Sequence, residues 1–158
     1  MRACIGSNQG KVMSDASTSK LLSGRCLCGN VTLGAKSVSP NVGACHCSMC
    51  VTWTGGPLLA VDCHQDVSLD GDSVAVFESS AWAERGFCSR CGTHLFYKIK
   101  QSGQYIVPVG LFKDDGDFVF DHQIFVDEKP QYYAFANATK NMTGAEVFAQ
   151  FTAESGPE

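Results

Sequence analysis

Seven of the nine cysteines in this 158-residue chain fall into three tight groups. They are Cys26-Leu27-Cys28-Gly29, Cys45-His46-Cys47-Ser48-Met49-Cys50 and Cys88-Ser89-Arg90-Cys91-Gly92. One C-x-x-C pair carries little weight, but three such groups point to shared metal ions. Zinc takes four tetrahedral ligands with sulfur at about 2.3 Å, and C-x-C or C-x-x-C hairpins put two thiolates on one ion. A glycine after the second cysteine of a pair allows φ > 0, which turns backbone N–H groups toward sulfur. Gly29 and Gly92 stand at those positions.

Seven ligands cannot complete two closed sites, which need eight. Two pairs and a triple divide most simply into Cys26, Cys28, Cys88 and Cys91 at one ion and Cys45, Cys47 and Cys50 at another. The first is a closed structural centre; the second keeps an open position, as catalytic zinc centres do. The alternative is two closed centres, the second completed by a histidine or a remaining cysteine. His46 is the obvious candidate, yet in an extended Cys-His-Cys its side chain points away from both neighbours. His64 and His94 read as ordinary surface or strand residues, and Cys4 and Cys63 as free thiols. An odd cysteine count opposes a disulfide framework, and two iron–sulfur clusters would each need four cysteines.

The rest of the composition sets the setting for this chemistry. Sixteen acids against twelve bases give a net charge of −4 and a pI near 5.5. Nucleic-acid binders concentrate Lys and Arg, so no nucleic-acid partner is expected. The first ten residues hold one Arg and no apolar stretch of about 7–15 residues, so a cytoplasmic protein with reduced thiols is expected. The longest apolar run, Pro57-Leu58-Leu59-Ala60-Val61, is far short of the roughly 20 residues that cross a bilayer, so no membrane partner is expected either.

The elements that must carry the cysteines read as short strands. Val31–Leu33, Leu58–Val61, Val74–Phe77, His94–Tyr97 and Tyr105–Val107 are each short and β-branched or aromatic. Gly71-Asp72, Ser102-Gly103 and Asp115-Gly116-Asp117 read as the turns between them. No stretch before Lys129 keeps helical periodicity. Thr143-Gly144-Ala145-Glu146 fits a capping box, which predicts a short C-terminal helix with Val147, Phe148 and Phe151 on one apolar face. Phe87, Phe96, Phe112, Phe118 and Phe120 are expected in the core, while Trp53 and Trp82 either line a pocket or pack plainly. The division that follows is a tail over residues 1–20, a zinc-binding β domain over 21–136 and a C-terminal extension over 137–158.

The motifs occur in the order Gly24-Arg25-Cys26-Leu27-Cys28-Gly29, Cys45-His46-Cys47-Ser48-Met49-Cys50 and Gly86-Phe87-Cys88-Ser89-Arg90-Cys91-Gly92. They end in the segment His122-Gln123-Ile124-Phe125-Val126-Asp127-Glu128-Lys129-Pro130-Gln131-Tyr132-Tyr133. This order resembles the glutathione-dependent formaldehyde-activating enzymes, a family that includes centromere protein V. The resemblance implies a mainly β fold, a β-tent of coiled antiparallel sheets organised around two zinc ions. Cys26, Cys28, Cys88 and Cys91 match the family's structural site, and Cys45, Cys47 and Cys50 match its catalytic one. No other cofactor is implied. The implied partners are a small-molecule thiol and an aldehyde, with the chain acting as a monomer or homodimer.

The implied activity is that of a carbon–sulfur lyase: glutathione and formaldehyde give the S-hydroxymethyl adduct, and the reverse breaks the carbon–sulfur bond. His122 or Tyr105 could deliver the proton that this needs, or could be a satisfied histidine and a core tyrosine. One departure is Val51, where many members carry a basic residue. If that base holds an anionic substrate, glutathione binds this chain weakly. The competing readings are a non-catalytic zinc interaction module and a zinc enzyme acting on a different small electrophile.

Overall fold

A computed structural model describes residues 20–113 and 117–154. Cys4 and the expected N-terminal tail, apart from Lys20, lie outside these residues, as do positions 115 and 116 of the expected turn. The described chain is mainly β, in two sheets. Strands β1 (Leu22–Arg25), β2 (Thr32–Ala35) and β5 (Val67–Asp70) form the smaller sheet in the order β1-β2-β5. The larger has eight strands: β3 (Asn41–Cys45), β4 (Leu58–Asp62), β6 (Val74–Phe77), β7 (Ala83–Cys88), β8 (His94–Ile99), β9 (Tyr105–Pro108), β10 (Val119–Ile124) and β11 (Lys140–Met142). Their order is β11-β10-β3-β4-β9-β8-β7-β6.

Pairing is antiparallel except at one edge, where β10 runs parallel to both β3 and β11. That exception refines the antiparallel expectation, and it brings the segment after His122 alongside Cys45: Ile124 pairs with Cys45. The five strands read from the sequence all form. Of the others, β1 (Leu-Ser-Gly-Arg) and β3 (Asn-Val-Gly-Ala-Cys) do not alternate cleanly, whereas β5 (Val-Ser-Leu-Asp) alternates over only four residues.

The sheets share one core. Leu22, Leu33 and Ala35 of the small sheet meet Val61, Leu95, Phe96 and Val107 of the large one, with Phe112 fully buried among them. Cys26 and Cys88 belong to the same apolar cluster, so one set of cysteines grows out of the core itself. Of the phenylalanines expected inside, Phe96 and Phe112 are buried, Phe118 and Phe120 pack on the core partly exposed, and Phe87 instead meets Trp53 edge-on.

Two α-helices accompany the sheets among the described residues. Helix α2 (Gly144–Glu154) starts at the expected capping box: Glu146 N–H donates to Thr143 Oγ1 at 3.3 Å, and Thr143 N–H donates to Glu146 Oε2 at 2.7 Å. Its apolar face is only partly covered. Val147 is buried, Phe148 touches Phe125 yet stays 58% exposed, and Phe151 is 48% exposed. Helix α1 (Ser48–Thr54) was not expected, because seven residues are too few to display a period and three of them are β-branched.

Strand β7 carries one residue with no room to grow. Gly86 lies opposite Phe96 on β8, and a Cβ at position 86 would stand 2.1 Å from the Phe96 ring. Gly86→Ala should therefore destabilise the fold by about 1–3 kcal/mol, the usual range for an overpacked core. The check is a lower urea midpoint with an unchanged denaturant slope.

Candidate metal centres

The first cluster joins two turns far apart in sequence. Cys26 and Cys28 lie in the β1–β2 turn, Cys88 ends β7, and Cys91 lies in the β7–β8 turn. Their four sulfurs lie within 4.8 Å of one another, with Cys26–Cys28 at 3.5 Å and Cys28–Cys88 at 3.8 Å. A tetrahedron with zinc–sulfur bonds of about 2.3 Å has edges of about 3.8 Å, so the donor set fits zinc.

Local geometry makes this convergence possible. Gly29 (φ 78°) and Gly92 (φ 74°) take the left-handed conformation, closing hydrogen bonds from Gly29 N to Cys26 O at 3.0 Å and from Gly92 N to Cys88 O at 2.7 Å. Val31 N–H donates to the Cys26 sulfur at 3.2 Å. The two turns are also tied directly, since Leu27 N–H donates to Thr93 Oγ1 at 3.0 Å. The Thr93 side chain and backbone hold the Cys91 thiol down at about 5, favouring thiolate.

The second cluster is built around α1. Cys45 ends β3, Cys47 is the N-cap of α1, and Cys50 lies in its first turn. The three sulfurs again lie within 4.8 Å of one another. The Cys47 sulfur accepts from Cys50 N–H at 3.4 Å, taking the place an oxygen usually holds at a cap. Glu128, from the segment after β10, accepts from Ser48 N–H at 2.8 Å and fixes the same helix end. Gly55 (φ 76°) closes the other end by donating to Val51 O.

His46 is fully buried, and both of its ring nitrogens are occupied. Nε2–H donates to Gln123 Oε1 at 2.9 Å, and Nδ1 accepts from the Tyr133 hydroxyl at 2.6 Å. Gln123 in turn donates to Thr139, and Thr139 to Asn141. Burial lowers the His46 pKa, with the Gln123 bond working against it, so the ring is neutral. It is therefore a peg between two cysteines rather than a ligand. Among the described residues, Cys45, Cys47 and Cys50 are the His, Cys, Asp or Glu donors that converge here. Cys63 sits fully buried in the main core, its thiol pushed up to about 12 by burial.

The electrostatics of the three thiols are strongly coupled. Hydrogen bonds from Cys45 and then Cys50 pull the Cys47 thiol far down, against its burial and helped by the Arg85 charge. The Cys45 thiol is pushed far up by Cys47, Cys50 and burial. Three thiols this close oppose one another's ionisation, and a bound dication would offset the charge of their thiolates.

Arg85, from β7, is 2% exposed and donates from Nη2 to the Cys50 sulfur at 3.5 Å. Its guanidinium carbon stands 5.0 Å from the Tyr97 ring centre and 5.7 Å from that of Trp53. A pocket of about 400 Å³ opens against α1, lined by Ser48, Met49, Trp53, Phe77, Ser79 and Arg85 among others. Neither Arg85 nor α1 was foreseen in this role. The available signal was an arginine just before Gly86, in the short strand that ends at Cys88.

The remaining candidates lie elsewhere. His122 packs against Gly43 and bonds Asp121 through Nδ1, and Tyr105 lies edge-on to Phe96 beneath Lys98. Neither lines the pocket. Trp53 does, while Trp82 is 53% exposed. His64 is a surface residue beside Asp62. His94 is a strand residue, its Nε2 donating to Phe96 O.

The family profile for glutathione-dependent formaldehyde-activating enzymes matches residues 21–128, which include both clusters and Arg85. The chain belongs to that family. A relative from Schizosaccharomyces pombe, named only as an uncharacterized lyase, is 37% identical over 126 residues, covering 78% of this chain and 92% of the relative. The crystal structure of a Rhodobacter sphaeroides protein shares the fold at a TM-score of 0.51 and 20% identity, covering 59% of this chain and 89% of that one. The formaldehyde-activating profile ends before Tyr133, so the hydroxyl that holds His46 lies outside the matched span.

If both clusters bind zinc, protein purified without chelator holds about two ions per chain by elemental analysis. Cys88→Ser should unfold or aggregate the chain, because a closed site can contribute on the order of 10–16 kcal/mol of apparent folding free energy. Cys47→Ser should stay folded and lose about one zinc. Equal loss of thermal stability in the two variants would overturn the division.

Burial holds His94 down at about 4, below its ordinary 6.5, with the Phe96 carbonyl opposing and Arg85 adding to the shift. The unfolded chain takes up a proton that the folded chain refuses, so this residue subtracts stability as pH falls from 6.5 toward 4. Nitrogen NMR should find its ring still neutral near pH 5, and titration near 6.5 would contradict the burial argument.

Proposed function

We propose that this protein is a zinc-dependent carbon–sulfur lyase that joins a small thiol, glutathione or a relative of it, to formaldehyde. The observation that carries this reading is the convergence of three cysteines, with His46 occupied elsewhere, beside an open pocket in a chain of this family. Cys26, Cys28, Cys88 and Cys91 would hold a structural ion, and Cys45, Cys47 and Cys50 the working one. The set of four would be closed and tie the fold together, while the set of three would leave room for a substrate sulfur.

When bound, zinc supplies the positive charge that keeps the cysteine sulfurs ionised and favours the thiolate form of an incoming thiol. The protein's own residues do the rest. The pocket seats the thiol against α1, where Trp53, Phe77 and Met49 give it apolar walls. The thiol sulfur gives an electron pair to the aldehyde carbon, forming the carbon–sulfur bond. The carbonyl electrons pass to oxygen, which takes up the proton lost by the thiol. No electrons are gained or lost overall. Met49 and Phe77 are 40% and 53% exposed, so the rim is open enough for water to carry that proton. Arg85 puts one fixed positive charge beside Cys50, offsetting part of the negative charge of three thiolates.

The uncatalysed reaction also runs, so the signal is an excess over background. Exchange between glutathione, formaldehyde and the adduct, followed at equilibrium, should be faster with native protein. Cys47→Ser should reduce that excess by roughly tenfold or more. Native protein that matches the variant with every thiol tried, while still holding two zinc ions, would leave the interaction-module reading in its place.

A further inference from the structure

Both chain neighbours of Cys47 are held by β10 and the segment that follows it. His46, before it, bonds Gln123 and Tyr133, and Ser48, after it, donates its N–H to Glu128. The parallel register of β10 on β3 prepares this, with Ile124 opposite Cys45 and its carbonyl accepting from His46 N–H at 3.1 Å. Gln123 Oε1 can only accept, so Nε2 carries a ring proton and the Tyr133 hydroxyl donates to Nδ1. The donors then run one way, from Tyr133 to His46, Gln123, Thr139 and Asn141, over bonds of 2.6, 2.9, 2.7 and 2.8 Å. Tyr133 heads this run, and without its hydroxyl the Nδ1 of a fully buried ring loses its donor. Lys129 steadies Tyr133 in turn: its Nζ donates to Tyr133 O at 2.7 Å and stands 5.0 Å from the ring centre.

We propose that Tyr133 is a positioning residue of the three-cysteine centre, setting its metal affinity through His46 without touching metal or substrate. This rests on the reading of Cys45, Cys47 and Cys50 as a metal centre. His46 lies between two of these cysteines, so a ring free to turn lets the backbone shift on both sides of it. A set of three has no fourth protein sulfur to compensate for such a shift. Outer groups that fix the ligands of a metal site typically set its affinity by about 10–100-fold. The bonds that support the four-cysteine cluster come instead from Val31 and Thr93. Tyr133 follows the span matched by the family profile, residues 21–128, so that span by itself does not contain this support.

The test loads full-length protein with cadmium-113 in place of zinc. Its NMR spectrum should give one resonance per cluster, assigned with Cys47→Ser, and chelator competition should give an affinity for each. Tyr133→Phe should weaken the three-cysteine site by about tenfold or more and move its resonance, with the four-cysteine resonance and affinity unchanged. Tyr132→Phe, a change to the adjacent ring that is 77% exposed, should alter neither site. Should Tyr133→Phe fail to fold, Thr139→Val breaks the same run nearer its other end and should weaken the same site alone. Loss at neither site, equal loss at both, or the same loss from Tyr132→Phe would overturn the assignment and leave the metal reading standing. Native protein that takes up only one cadmium ion would remove the second metal centre and this inference with it.

Discussion

Four sulfur atoms from turns some sixty residues apart lie within 4.8 Å of one another, and much of the fold is arranged around that meeting. Thiols at such spacing ionise together only if a dication offsets their charge. Cys26 and Cys88 lie in the apolar core while Cys28 and Cys91 lie nearer solvent, so the cluster sits at the boundary between core and surface. Binding an ion there would fasten the small sheet, through the β1–β2 turn, to the β7–β8 hairpin of the large one.

Strand β7 connects the two clusters. Its last residue is Cys88, and three positions earlier Arg85 reaches Cys50. Between them, the pairing of β7 with β8 slips by one residue, at Gly86 and Phe87. The same short strand therefore contributes a sulfur to one centre and a positive charge to the other. A shift of β7 would disturb both.

The second cluster uses the same ligand type with a different support. Its geometry depends on a helix too short to be stable alone, capped by a cysteine at Cys47 and by Glu128 from beyond β10. His46, pinned by Gln123 and Tyr133, fixes the chain between Cys45 and Cys47. Parallel pairing of β10 with β3 brings those partners within reach. Rigid backing on one side and a pocket on the other would suit the exchange of a ligand proposed for this cluster.

Which cysteines converge was written in the sequence, because the short spacings and flanking glycines survive in the linear order. The division into four and three could be read the same way, as could Val74–Phe77 and the capping box at Thr143. What the sequence did not reveal was supplied by long-range contacts. Helix α1 has no period to detect, and Tyr133 meets His46 across 87 positions. Arg85 looks like any strand arginine until Cys50, Trp53 and Tyr97 surround it. Which sulfurs converge was determined locally by spacing; what charge and which wall face the pocket was decided only by how β7, β10 and α1 pack, since side-chain environment belongs to neighbours distant in the chain.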